Sequence, residues 1–321
     1  MREEHRDGAK RVWKFGAGAA VVLAAVFWVG AGIWGGSQCG AGDGTASGGK
    51  PVMLRLAEAM PPEHPSARAA ALFSQLVEER SDGRIRIRVY NNSELGMPGE
   101  VLEQMEFGGI AAARVSALNL TDLSPRIRDA FTPGAFSTPQ EQMEWVEAER
   151  EALDQECYDN NLVPLVWYYP DYRCFYSSRT DIADSGSLEG LKVQTASCKL
   201  MTNLMAEWGA ESVGLTSLDP FKFFNSGNID GAESAFGEFV CCGYADYSRY
   251  VTINHSLFFP DVILINKEVL ESLSREDQEL IQVCAQATYA YQKSQMEELY
   301  DSWQAELTKK DSISLKEGDF R

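Results

Sequence analysis

Between Val52 and Tyr90 the hydrophobic pattern changes period twice, and this constrains the architecture more than any other feature of the chain. Val52 to Ala57 (VMLRLA) reads as a strand, and Pro65 then opens a helix with Leu72, Phe73, Leu76 and Val77 on one face. Arg84 to Tyr90 (RIRIRVY) alternates cleanly, with Ile85, Ile87 and Val89 on the buried side. Strand, helix, strand is the signature of an α/β architecture. The same logic continues downstream. Pro98 starts a helix carrying Val101, Leu102 and Met105, and Ser137-Thr138-Pro139 caps a long acidic helix that should run to about Tyr158. Leu162 to Tyr169 (LVPLVWYY) suits a buried strand.

The second half repeats the pattern. Leu191 to Thr195 is a short strand, Leu200 to Gly209 a helix closed by its glycine, and Ile229 to Glu233 a strand end. Asp261 to Asn266 (DVILIN) is a strand, and Ser274 caps a helix that the pattern carries to about Leu307. Unbroken, that helix would have ~30 residues and a length of ~45 Å, enough to brace two lobes. The 321 residues are sufficient for two such lobes.

The N-terminus is different in kind. Residues 1–14 hold five basic and three acidic side chains, and Phe15 to Trp34 then runs without a charge. A run of ~20 apolar residues suits either a secretory signal or a membrane anchor, with Lys14 on the cytoplasmic side. Residues 1–38 are therefore an export signal or an anchor. Cys39, after Gly36-Ser37-Gln38, stands where a bacterial lipoprotein would be cut and lipidated, although Gln38 is a poor residue before such a site. Residues 39–51 are a Gly-rich linker that tethers the folded part to the membrane. Gly44 to Pro51 narrowly misses a phosphate loop, because Pro51 replaces the Ser or Thr that would hold the metal.

Charge narrows the list of partners. The chain has 29 Lys plus Arg against 47 Asp plus Glu, a net charge of -18. Setting residues 1–14 aside leaves 24 basic and 44 acidic side chains, or -20 on the part expected outside the cytoplasm. Such a field repels phosphate backbones, so nucleic acid is not an expected partner. Three histidines and seven cysteines leave little material for metal or acid-base chemistry, and no HExxH, GxSxG, CxxC or dinucleotide pattern occurs after the apolar run. No cofactor and no metal are expected. Cys157 with Cys174, or Cys198 with Cys241 or Cys242, are candidate disulfides that spacing does not decide.

The order of short motifs carries a resemblance. Leu54-Arg55-Leu56-Ala57-Glu58, His64-Pro65, Gly83-Arg84-Ile85, Glu94-Leu95-Gly96 and Ala113-Arg114-Val115-Ser116 are followed by Tyr172-Arg173-Cys174-Phe175-Tyr176. Leu188 to Val193, Asp230 to Glu233 and Leu273 to Gln278 complete the series. Over residues 52–307 the chain resembles the solute-binding proteins of tripartite ATP-independent periplasmic (TRAP) transporters, the DctP family. The resemblance implies two α/β lobes of the periplasmic-binding-protein kind, a long helix across both, and one small, usually carboxylated solute between them. It places lobe I at residues 52–170 plus 261–285 and lobe II at 171–260 plus 286–321. It also implies membrane permease subunits as partners and an extracytoplasmic location.

At such a site Arg173 matches one of the family's carboxylate-binding arginines, and a guanidinium presents two parallel donors while staying charged when desolvated. The family's principal clamp arginine is here Gln194, which supplies hydrogen bonds but no charge. Three alternatives follow. Arg114 acts as a second cation beside Arg173; or Arg173 alone holds one negative charge while Gln194, Ser197 and Ser234 read hydroxyls; or the solute is not an anion and Glu58 faces its ammonium or hydroxyl groups. Ser116 and Glu233 complete the polar candidates, and Tyr169, Phe221, Phe236 and Phe258 are the aromatic candidates for the pocket. The reading is a non-enzymatic receptor for a small organic acid, such as a sugar acid, a uronate or another monocarboxylate. The alternatives are a neutral or cationic solute, a sensor in place of a transport component, or an enzyme using Asp171 and Glu233.

Overall fold

The computed structural model describes residues 50–214 and 228–321. Cys39, Phe221, the apolar N-terminal run and nearly all of the linker lie outside the described residues. Two sheets organise the described chain. The first contains β1 (Val52–Glu58), β2 (Ile85–Tyr90), β3 (Ala112–Ser116), β4 (Leu162–Trp167) and β10 (Asp261–Asn266), in the order β2-β1-β3-β10-β4. The second contains β5 (Asp171–Ser177), β6 (Lys192–Thr195), β7 (Glu211–Gly214), β8 (Gly231–Ala235), β9 (Tyr250–Phe259) and β11 (Ser314–Gly318), in the order β11-β9-β5-β8-β6-β7. This is the expected two-lobed α/β architecture.

Local signals act where the sequence puts them. Helix α1 (Pro65–Arg80) starts at its proline, with His64 Nδ1 accepting from the Ser66 amide, and buries Phe73 and Val77 against the first sheet. Each such side chain contributes roughly 1.5–3 kcal/mol by leaving water. Helices α2 (Pro98–Glu106), α3 (Pro125–Ala130) and α4 (Pro139–Ala148) also begin at proline, where the missing N–H is not needed. Helix α6 (Lys199–Glu207) is followed by Gly209 at φ +76°, the left-handed conformation that ends helices at low steric cost. Its apolar face packs on the second sheet against Val193 and Phe175, and that of α7 (Phe236–Cys241) packs against Cys174 and Tyr176.

Two expected helices are broken. The acidic helix stops at Ala148 and resumes as α5 (Arg150–Asp159), with Glu149 between them bonded to Arg126 at 2.6 Å. After α8 (Lys267–Glu271), the expected ~30-residue helix divides into α9 (Arg275–Gln286) and α10 (Tyr289–Thr308). The interruption centres on Thr288, which is fully buried; its hydroxyl bonds the Ala285 carbonyl at 2.6 Å and the Tyr168 hydroxyl at 2.7 Å. With no glycine or proline in the stretch, a threonine held by one local and one tertiary bond marks the break. Helix α10 still serves as the brace: Tyr289 and Tyr291 pack against the first core, and Trp303 and Leu307 lie in the second, across a helix of about 30 Å.

The chain passes between the sheets at Tyr168-Tyr169-Pro170, at Pro260 and at Ala287-Thr288. Gln292, fully buried on α10, receives the Tyr169 amide at 2.9 Å and donates to the Tyr169 carbonyl at 3.1 Å, tying one crossing to the brace. β9 and β5 pair antiparallel with a register shift between Tyr172 and Arg173, so Tyr172 opposes Phe258 while Arg173 opposes Asn254. A bulge of this kind re-aims the side chains beside it. All six described cysteines are free, so none of the candidate disulfides among them is formed.

Candidate functional site

Strand register builds two guanidinium–carboxylate pairs, one on each sheet. In the first, Glu58 on β1 and Arg114 on β3 are direct cross-strand partners, so both side chains rise from the same face. Arg114 Nε donates to Glu58 Oε2 at 2.9 Å and Nη2 to Oε1, while Nη1 lies 3.3 Å from Asp261 Oδ1. Asp261 reaches this point diagonally, because Ile263 opposes Arg114 on β10. Met60 N donates to Glu58 Oε1 at 2.8 Å, and Ser66 Oγ donates to Asp261 Oδ2 at 2.7 Å. Burial works against the Arg114 charge, but Glu58 and Asp261 outweigh it and raise its pKa.

In the second pair, Phe175 on β5 opposes Glu233 on β8, which leaves Arg173 as the diagonal neighbour on the same face. Arg173 Nε donates to Glu233 Oε1 at 2.5 Å and Nη2 to Oε2 at 2.8 Å; Thr195 Oγ1 adds a 2.8 Å bond to Oε2. Both charged groups are almost fully buried. The two pairs differ in one respect. Arg114 answers to two carboxylates through all three of its nitrogens, whereas Arg173 Nη1 has no partner among the described residues. Glu233 thus holds the Arg173 plane by one edge, and the Nη1/Nη2 edge keeps the two-donor geometry that fits a carboxylate.

Further acids line the junction. Gly237 N donates to Asp171 Oδ2 at 2.6 Å, and Asp171 Oδ1 is enclosed without a partner, as is Glu238 Oε1. A Cβ at Gly237 would sit 2.8 Å from both Asp171 Oδ2 and His64 Nε2, so only glycine allows this approach. Burial, followed by Arg114 and Arg68, pushes the His64 pKa well below its usual range, so the ring is neutral. Burial raises the Asp171 and Glu238 carboxyls to about 7 against the opposing pull of Arg173, and it raises Glu58 too. The folded protein keeps protons that the unfolded chain releases above pH ~4, so stability declines as pH rises toward ~7. The melting temperature should therefore fall between pH 5 and pH 8, a trend that Asp171→Asn and Glu238→Gln flatten; a rising profile in calorimetry would contradict these environments.

The structure brings together only part of the expected site. Arg173 and Glu233 meet as described, and Glu58 and Arg114 meet on the other sheet. Gln194 opposes Ala232 on β8, so alternation sends it with Ser234 to the sheet face opposite Arg173, Glu233 and Thr195. Ser116 accepts from Leu118 N at the end of β3, and Ser197 is exposed beyond β6. Tyr169 is half-buried at a crossing under Lys293. Phe258 is buried edge-on against Tyr172. Phe236, expected in the pocket, instead lies in the second core against Phe239, Tyr300 and Trp303, because it is the first residue of α7 and turns beneath the sheet. Sequence reasoning passed over Thr195 and Glu238. It also missed Ser93, whose hydroxyl is enclosed without a partner beside Glu58 and Arg114 in a shallow pocket that Leu95 and Pro98 complete. A strand threonine and a lone helical glutamate carry no local signal.

Two α/β lobes, each with a buried guanidinium–carboxylate pair on its sheet, form the architecture of two-lobed binding proteins. Residues 56–318 match the model of the bacterial extracellular solute-binding protein family 7 (DctP), and the chain belongs to this family. A solute-binding protein of Chromohalobacter salexigens is 24% identical over 239 residues, covering 74% of this chain and 71% of its own. The ectoine-binding periplasmic protein TeaA of Halomonas elongata is 24% identical over 223 residues, covering 68% and 65%. In structure the chain is similar to a TRAP periplasmic solute-binding protein from Sulfitobacter with bound β-D-galacturonate, at a TM-score of 0.78 and 19% identity over 83% of this chain and 88% of that one. The family is one of receptors, not enzymes. Among the described residues no cluster of His, Cys, Asp and Glu could hold a metal, and no helix is long and apolar enough to cross a membrane.

Proposed function

We propose that this protein is the solute receptor of a TRAP-type transporter and captures a small hydroxylated monocarboxylate, a uronate or aldonate, with its carboxylate on Arg173. The observation that carries the reading is a buried arginine whose Nε/Nη2 edge Glu233 holds and whose Nη1 has no partner among the described residues. Thr195 fixes Glu233 in turn, so the guanidinium loses little freedom when a ligand arrives. Aromatic and hydroxyl groups around the junction suit a polyol chain, and the galacturonate-bound structure is of the same fold. The apolar N-terminal run and Cys39 support export and attachment to the outer face of the membrane, where permease subunits would receive the solute.

A closed receptor gains stability as RT ln(1 + [L]/Kd), about 2.7 kcal/mol at roughly 100 times Kd. Screening uronates, aldonates and short hydroxy acids by thermal shift should therefore reveal at least one clear response, confirmed by calorimetric titration. Silence from every acid would refute the reading. One observation favours a second reading: Glu58, Glu233, Glu238, Asp171 and Asp261 outnumber Arg114 and Arg173 at the junction. A solute that carries a cationic centre beside its carboxylate would suit that excess, and the ectoine-binding relative makes ectoine the first such compound to test.

A further inference from the structure

Arg173 faces a charge problem that Glu233 does not solve. The guanidinium and Glu233 already balance, so seating a carboxylate on the open edge leaves one surplus negative charge in a buried site. Glu238 stands where that surplus would be felt. It belongs to the first turn of α7, half-buried, with Oε1 enclosed and unpartnered. Ala235, three residues before it, opposes Arg173 across the β5–β8 pair, and the charged groups that face it are Arg173, Glu233 from β8, Arg114 from β3 and Asp261 from β10. Asp171 from β5 approaches through the Gly237 amide, Cys242 lies on its own helix, and His64 on the loop before α1 is neutral. An anion on Arg173 cancels the attraction that keeps Glu238 ionised and adds to the repulsion from Glu233 and Asp261.

We infer that Glu238 sets the charge preference of the site by taking up a proton from solvent when an anionic solute seats on Arg173. The inference rests on the carboxylate-binding reading above. Protonated, the Glu238 carboxyl gains an O–H donor, and the site regains the net charge it had before the anion arrived. A neutral solute would leave the carboxylate ionised and bind with no proton. The free carboxyl already stands near neutrality for reasons of burial, so the additional step needed is small.

The linkage has a definite sign. Affinity for an acid should rise about tenfold per pH unit as pH falls from alkaline values to about 7, and then level off once free Glu238 is protonated. Titration calorimetry of the full chain with D-galacturonate, D-glucuronate and D-galactonate, in buffers of different ionisation enthalpy, should show close to one proton taken up at pH 8 for whichever acid binds. Glu238→Gln should bind that acid without proton uptake and with an affinity independent of pH. Carboxyl NMR of the unliganded protein should show one glutamate titrating near neutrality that the Gln variant lacks. A bound acid with no proton uptake overturns the inference alone, as does an ordinary Glu238 midpoint. No binding of any acid at any pH overturns the carboxylate reading and this inference with it.

Discussion

Arg173→Met is expected to abolish acid binding and to lower the stability of the fold at the same time. Removing the guanidinium leaves Glu233 buried with, among the described residues, only Thr195 to answer it, and breaking a buried pair in this way costs about 3–5 kcal/mol. For a chain of this size each kcal/mol moves the melting temperature by roughly 2–4 °C, so a drop of about 10 °C is the expected scale. The double variant Arg173→Met with Glu233→Gln should regain most of that stability, since no unpaired charge remains, and still bind no acid. Calorimetry reads stability and titration reads binding, so the two roles of Arg173 separate. Retained affinity in the stable double variant would remove Arg173 from the site.

Arg114→Met should be the more damaging single change to stability and the less damaging to binding. It strands the fully buried Glu58 beside the half-buried Asp261, for about 3–5 kcal/mol. Adding Glu58→Gln to Arg114→Met should recover a large part of the loss, because Ser66 still donates to Asp261 and the Met60 amide still finds an oxygen at position 58. The recovered protein is expected to bind its acid within a few-fold of the original affinity. A folded double variant that binds nothing would make Arg114 a ligand contact, the first of the three arrangements that the sequence leaves open.

These two arginines show how far the sequence reaches. Both stand out in the chain as strand cations, Arg173 within an aromatic run and Arg114 within Ala-Arg-Val-Ser, and both are buried, one on each sheet. Their partners are another matter. Glu58 lies 56 residues from Arg114 and Glu233 lies 60 from Arg173, distances over which no periodicity operates. Gln194 is instructive in the same way: its place in a short strand is legible, but the parallel register with β8 decides which face it takes. Glu238 is invisible to pattern reasoning because its environment is assembled from β3, β5, β8 and β10.

Local chemistry by itself determined the alternation of strands and helices, the proline starts of α1 and α2, the Thr138 and Ser274 caps, and the two-lobed α/β class. Such signals act within a turn of helix or between residues two apart, so they survive in a linear reading. Tertiary structure alone decided that Thr288 meets Tyr168 at the break in the long helix, that Phe236 turns into the core, and that Glu58 and Asp261 together engage one arginine while Glu233 holds a single edge of the other. Those outcomes depend on which strands become neighbours and on how little water remains between them, and neither is a property of any short stretch of chain.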